Sequence, residues 1–447
     1  MTRAEEGRVG DRDAAGAVGP VSVPARLARM GRAGAVIAGR EAAGRLREAG
    51  ETPERRGELA EARAQANATT LLEAAGELRG LAAKLGQLLA QEGQGLPPAF
   101  ARGLASLQRS APPMHASLAR LRARQALGDW PEAIFARWEP RPFAAASLGQ
   151  VHRAWLADGR ALAVKLQYPD IRRAVESDFR LLEQSLRLLR LAGRDADAMG
   201  RALDHLRQRI LAETDYRAEA DQLEFFARAL ADRADLAVPG VDRAHSGETL
   251  LSMDFLSGQP LDEWLADGPS QAQRDALGRR LLALFFVQAF ELRRFHADPH
   301  PGNLLVRADG GIGLVDFGCV ETLGRGQADE VRELYRIPID DAAGLDAQYR
   351  RLGLYAATDP DARAKRAALL ALQRANVGRF HAAGAWDFGR AEPMRELAGC
   401  LREVARLGIA SGPLVLFERS QFGLYGLLHQ IGARVDCRQV ITPFLAG

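Results

Sequence analysis

Cysteine is scarce in this chain of 447 residues: there are three, Cys319, Cys400 and Cys437. They are too few and too scattered for a disulfide framework or a zinc site, and they point to a reducing compartment. Long hydrophobic runs are also missing. The most apolar stretch, "LLALFFVQAF" at 281–290, is too short to span a bilayer and reads as a buried helix. The opening residues, "MTRAEEGRVGDRDAAG", lack the apolar centre of a signal peptide. Nor does one sign of charge dominate. The formal net charge is +3, and no basic stripe with interleaved aromatics suggests a nucleic-acid face. The expectation is a cytoplasmic protein with no nucleic-acid partner, a peripheral membrane contact being left open.

Lysine is the most telling shortage. Of 60 basic residues only Lys84, Lys165 and Lys365 are lysine, so arginine serves wherever a positive charge is merely needed. A retained lysine then marks a place that wants a compact ammonium rather than a planar guanidinium. Lys165 ends "ALAVK" and Lys84 sits in "AAKLGQLLAQEG". Lys365, in "DARAKRAALL", reads as a solvated helix residue.

The texture of the chain divides it into four parts. Residues 1–24 are rich in Gly, Ala and charge and read as disordered. From 25 to 139 apolar residues recur at three and four, the helical period. One segment there, "VPARLARMGRAGAVIAGREAAGRLREAG", could lie on an anionic bilayer or pack on the rest of the protein. Over 140–257 two apolar runs joined at "ADGR" predict a hairpin, and "TLLSMDFLSG" predicts a buried strand. From 258 to 447 helices dominate, interrupted by a second hairpin in "NLLVRADGGIGLVDFG".

Protein kinases cover ATP phosphates with G-x-G-x-x-G-x-V and follow it with a strand ending V-A-I-K. Here "AAASLGQV" offers Ala144, Ala145, Ala146, Ser147, Gly149 and Val151, with alanine in place of the first two glycines. Lys165 follows at the strand end, where it would hold phosphates. "HADPHPGN" supplies Asp298 and Asn303 at the kinase offset, and "GLVDFG" supplies Asp316. A carboxylate and an amide oxygen are hard ligands for the divalent ion that phosphoryl transfer requires, so Asn303 and Asp316 are the candidate metal ligands. Asp298 would orient or deprotonate the acceptor. Met253 and Phe255, at the end of the buried strand, complete the candidate nucleotide site. A second "DFG" at Asp387 follows no predicted strand and reads as chance. His296, Asp298 and His300 could instead form a metal cluster, but the prolines between them and the downstream Asp-Phe-Gly favour the kinase reading.

Together "AKLGQ", "AAASLGQVH", "LAVKLQYP", "ETDYRAEA", "HADPHPGN" and "LVDFG" resemble the UbiB/AarF family of atypical kinases over nearly the whole chain. The resemblance implies an α+β, two-lobed protein-kinase-like fold, with a small β-rich lobe, a helical lobe and an N-terminal helical extension. It implies ATP with Mg²⁺, or Mn²⁺, as cofactors, and kinase or ATPase chemistry in support of ubiquinone-type lipid biosynthesis rather than protein phosphorylation. A lipid or phenolic quinone precursor is the implied partner. Lys84 and Gln87 match a motif of the extension that folds over the active site. Glu213 and Asp215 match an acidic pair, one of which should meet Lys84. Glu219 is the expected partner of Lys165, with Glu213 its competitor. The chain runs to Gly447 without the pair of membrane-spanning helices of the quinone-biosynthesis subgroup, and no Ala-Pro-Glu follows Asp316, so a protein-kinase peptide platform is not expected. Two other functions remain open: a small-molecule kinase of the aminoglycoside or choline type, and a nucleotide-binding scaffold without turnover.

Overall fold

The computed structural model describes residues 23–48, 114–146, 148–190, 207–297, 299–409 and 412–446, with residue 204 and scattered positions between 51 and 70. Of the expected site residues, Lys84, Gln87, Ser147 and Asp298 lie outside the described residues, as do positions 1–22 of the segment expected to be disordered. Val23 and Pro24 open the first helix, α1 (Val23–Glu48). Its Ile37 and Glu41 are buried. Glu41 meets Arg63 at 3.2 Å and accepts a hydrogen bond from Asn67 at 2.8 Å, so this part of α1 is packed against protein.

The small lobe is built on a five-stranded antiparallel sheet: β1 (Arg137–Trp138), β2 (Ala144–Ala146), β3 (Gly149–Trp155), β4 (Ala161–Gln167) and β5 (Leu250–Asp254). It begins at Arg137, slightly ahead of the expected boundary at 140. The predicted hairpin is β3–β4, registered Val151 against Lys165. Its turn works because Gly159 takes φ +85°, a region open to glycine, while Asp158 accepts from the Arg160 amide at 2.9 Å. Six of the seven β4 residues are buried, the signature of a strand covered on both faces. Helix α2 (Ala116–Leu127) lies on the back of the sheet and presents Ala119 and Ala123, both fully buried with Phe135, Trp138, Leu162 and Val164.

Gln150 and His152 of "SLGQVH" point to that rear core. Gln150 accepts from the Met114 amide at 2.7 Å and contacts His152 Nε2 at 2.8 Å; His152 Nδ1 reaches the Glu139 carbonyl at 2.9 Å. Burial holds the His152 pKa below its usual value, against the pull of that carbonyl bond. This polar chain ties the residues that enter α2 and leave β1 to the hairpin.

Helix α3 (Ile171–Arg190) follows β4. Helix α4 (Tyr216–Ala229) starts at Asp215, whose side chain accepts from the Arg217 amide. Tyr216, Glu219, Ala220, Leu223 and Phe226 form its buried face, spaced three and four apart as an amphipathic helix requires.

The helical lobe centres on α5 (Gln271–Phe286), which holds most of the apolar run expected to be buried and continues as a π-helical turn, Val287–Leu292. The aromatic rings of Phe286, Phe290, Tyr335 and Phe417 pack there. Against it lie α6 (Arg325–Arg336), α7 (Ala362–His381), α8 (Gly412–Ile431) and α9 (Cys437–Leu445). The strand β6 (Arg294–His296) pairs with β9 (Val320–Thr322), and between them the second predicted hairpin is β7 (Leu304–Val306) with β8 (Ile312–Leu314). Lys365 departs from expectation: it is not freely solvated but bridges Asp359 at 2.9 Å and Asp361 at 3.1 Å, with its side chain 16% exposed. None of the described helices is long and apolar enough to cross a membrane. The fold is the two-lobed, protein-kinase-like α+β arrangement.

Gly149 shows how closely the hairpin is built. A Cβ there would overlap the Leu166 carbonyl oxygen and sit 3.0 Å from the Tyr216 hydroxyl. Both neighbours are fixed, one being backbone and the other fully buried. Gly149→Ala should therefore destabilise the protein by about 1–3 kcal/mol, read as a lower urea midpoint. An unchanged midpoint would show that the strands have room for a methyl group.

Candidate active site between the lobes

A cleft of about 570 Å³ separates the sheet from the helical lobe. Ala144, Ala145 and Ala146 form part of its roof. Instead of a free phosphate loop they make a strand, paired Ala144 to Val151 and Ala146 to Gly149. Val151, Met253 and Phe255 also line the cleft, with Leu305 and Val315 on the opposite wall. Gly149 is buried and does not line it; its part is the close strand approach described above.

Lys165 is the centre of the site. It is 5% exposed, and its Nζ donates to both oxygens of Glu219 at 2.7 and 2.8 Å. A third bond runs to Asp316 Oδ2 at 2.9 Å. Tyr216 adds its ring face, 5.1 Å from the ammonium. Burial opposes charge on Lys165, but the Asp316 and Glu219 carboxylates outweigh it and hold the pKa well above the ordinary lysine value. Burial also dominates at Glu219. It raises that pKa to about 7 against the attraction of Lys165, with Asp316 adding to the rise.

Asp316 is held from three sides. Its Oδ1 accepts from the Gly318 amide at 3.0 Å, its carbonyl accepts from His296 Nε2 at 2.7 Å, and Phe317 stacks on Phe226 of α4 at 4.7 Å. His296 in turn is placed by its own amide, which donates to Gln288 Oε1 at 3.0 Å. Gln288 is buried in the π-helical turn, a feature often found at functional sites. Asn303 lines the cleft beside Asp316 and ends the short turn Pro301–Asn303; its carbonyl accepts from the Val315 amide at 3.2 Å.

The acidic pair divides. Glu213 lines the cleft, whereas the Asp215 carboxylate is engaged as the α4 cap. The partner of Lys84 cannot be read from either, because Lys84 lies outside the described residues. Sequence reading missed Gln288, Arg153 and Phe143. Arg153 lines the cleft and stacks 3.9 Å above the Phe255 ring, with Phe143 beside Phe255 at 5.6 Å. Alternation along β3 from Val151 would have found Arg153.

The second Asp-Phe-Gly is preceded by a strand after all, contrary to expectation: Trp386–Asp387 pairs with Arg434–Val435. Locally it copies the first, since Asp387 Oδ1 accepts from the Gly389 amide at 2.9 Å. But Asp387 faces Arg434 at 3.4 Å and does not line the cleft. The turn is the same; the surroundings differ.

Once Glu219 is ionised, two carboxylates sharing one ammonium leave one excess negative charge, and Asp316, 25% exposed against 3% for Glu219, presents it to the cleft. Among the described residues there is no cluster of three His, Cys, Asp or Glu side chains that could hold a metal ion. A divalent ion here would rest on Asp316, the Asn303 amide oxygen and the oxygens of a phosphate ligand, which together make a hard-oxygen set suited to Mg²⁺.

The Glu219 shift has a consequence for stability. A carboxyl that binds its proton more tightly when folded contributes fully below the ordinary value of 4.5, and that contribution is lost as pH rises to about 7. Glu219→Gln cannot titrate, so urea denaturation between about pH 4 and pH 8 should give it a flatter profile than the parent. Equal slopes would show that Glu219 does not titrate in this window.

Residues 106–344 match the ABC1 atypical kinase-like domain. "Atypical kinase COQ8B, mitochondrial" of Rattus norvegicus is 29% identical over 388 residues, covering 84% of this chain and 71% of that protein. "Probable protein kinase UbiB" of Aeromonas hydrophila is 34% identical over 253 residues, 54% of this chain but only 46% of its own length. Among solved structures, the erythromycin complex of Rv3197 from Mycobacterium tuberculosis superposes with a TM-score of 0.61 at 26% identity, covering 81% of this chain and 92% of that one. The chain belongs to the ABC1, or UbiB/AarF, family of atypical kinases.

Proposed function

We propose that the chain binds ATP with Mg²⁺, which Mn²⁺ can replace, and acts as an atypical kinase or ATPase in the synthesis or upkeep of isoprenoid quinone lipids. The phosphoryl acceptor is a small lipid or phenolic precursor, or water, rather than a protein. One observation carries the nucleotide part: Lys165 bonded at once to Glu219 and Asp316 in a cleft also lined by Val151, Met253 and Leu305. The quinone part rests on the family resemblance.

In this reading the base lies between Val151, Ala163 and Met253 above and Leu305 below. Lys165 contacts the phosphates and is kept charged and aimed by Glu219. Asp316 and Asn303 hold the divalent ion, which neutralises charge on the phosphates. Asp298 orients the acceptor and takes its proton. The paired alanine strand leaves less freedom over the phosphates than a glycine loop has, which favours a restricted choice of acceptor.

Two measurements test the reading. Nucleotide should raise the melting temperature only when metal is present, with a stabilisation of about 2.7 kcal/mol at a hundredfold excess over Kd. Asp387→Asn should leave that shift unchanged. Asp298→Asn should keep the nucleotide shift while phosphate release falls by roughly 10²–10⁴-fold. Equal stabilisation in excess chelator, or parental turnover by Asp298→Asn, would overturn the assignment.

A further inference from the structure

The loop from His296 to Asn303 is braced on one flank by hydrogen bonds and on the other by a missing side chain. On the polar flank His296 meets Gln288 and Asp316, as described above, and the Gly302 and Asn303 amides donate to His300 Nδ1 at 3.1 Å and to the His300 carbonyl at 3.0 Å. On the other flank Pro299 rests on Gly423 of α8. A Cβ at Gly423 would overlap Pro299 Cγ and lie 3.2 Å from its Cδ.

A proline ring has no rotamer that would carry it clear, so either the helix or the loop must move to admit a methyl group. The helix is held. Tyr425 and Leu428 are fully buried and Leu424 nearly so, and the side chain of Gln421 is bonded to both Asn376 and Tyr335. The loop is less enclosed, since Pro299 is only half-buried and His300 is exposed. Displacement therefore falls on the loop, and Pro299 immediately follows Asp298 in the chain.

We infer that Gly423 is a positioning residue for the catalytic loop: its bare backbone sets the depth at which Pro299 stands, and through it the placement of the turn that ends at Asn303. The activity arm of the test rests on the function proposed above; the exchange arm does not.

The test is a double-mutant cycle of Gly423→Ala with Pro299→Ala. Gly423→Ala alone should lower phosphate release at saturating MgATP by roughly 10- to 100-fold, as expected for a small misplacement of reacting groups. In the Pro299→Ala background, where the ring is gone, the same substitution should cost less than about threefold. Hydrogen exchange at the Gly302 and Asn303 amides should quicken in Gly423→Ala and return to the level of Pro299→Ala in the double variant. Exchange in α7 should stay at the parental rate. If Gly423→Ala leaves loop exchange unchanged, or if the Pro299→Ala background gives no relief, the inference is wrong. If the parent itself releases no phosphate, the proposed function fails, and the exchange measurement still decides the role of Gly423.

Discussion

The site depends on a lysine taken almost wholly out of water. Burying an ammonium costs several kcal/mol, a cost recovered only when its partners are close and well aimed. For Lys165 they are Glu219 and Asp316, and the three residues come from three separate places: β4 of the sheet, the buried face of α4, and the segment after β8. Removing one partner of such a group typically costs 3–5 kcal/mol. The trio therefore holds the two lobes in register as firmly as it prepares the cleft. Much of the neighbouring structure serves its placement. Asp215 caps the helix that carries Glu219, Phe317 is locked against Phe226, and His296 grips the Asp316 carbonyl.

The excess negative charge of the trio gives the cleft its chemical direction. It stands at the more exposed carboxylate, Asp316, beside the Asn303 amide, while the roof toward Val151 and Met253 is apolar. A ligand with a flat apolar end and a polyanionic end carried by a divalent cation matches both halves.

Much of this was legible in the sequence, for identifiable reasons. Scarcity marked Lys165, because a chain that uses arginine elsewhere had kept lysine there. The family resemblance pointed to Glu219 ahead of Glu213, and the Asp-Gly turns found both hairpins. What stayed hidden depended on contacts between distant segments. Gln288 sits in an apolar run that reads as plain helix, and nothing local announces its π-helical turn. Gln150 and His152 were visible as letters of a motif, but their role is to join β3 to the residues that enter α2 and leave β1. Gly423 has no local signature; its meaning comes from Pro299. The two Asp-Phe-Gly segments make the same point in reverse, since they share one local turn and only the first meets a lysine.

The central claim is that Lys165 holds nucleotide phosphate. Isothermal titration of MgATP into the parent and into Lys165→Met tests it. A charge-assisted bond of this kind is worth about 1.5–3 kcal/mol, so the variant should bind at least about tenfold more weakly. Equal affinity in the two proteins would contradict the account, because the buried lysine would then be a structural tie between the lobes and not a ligand for phosphate.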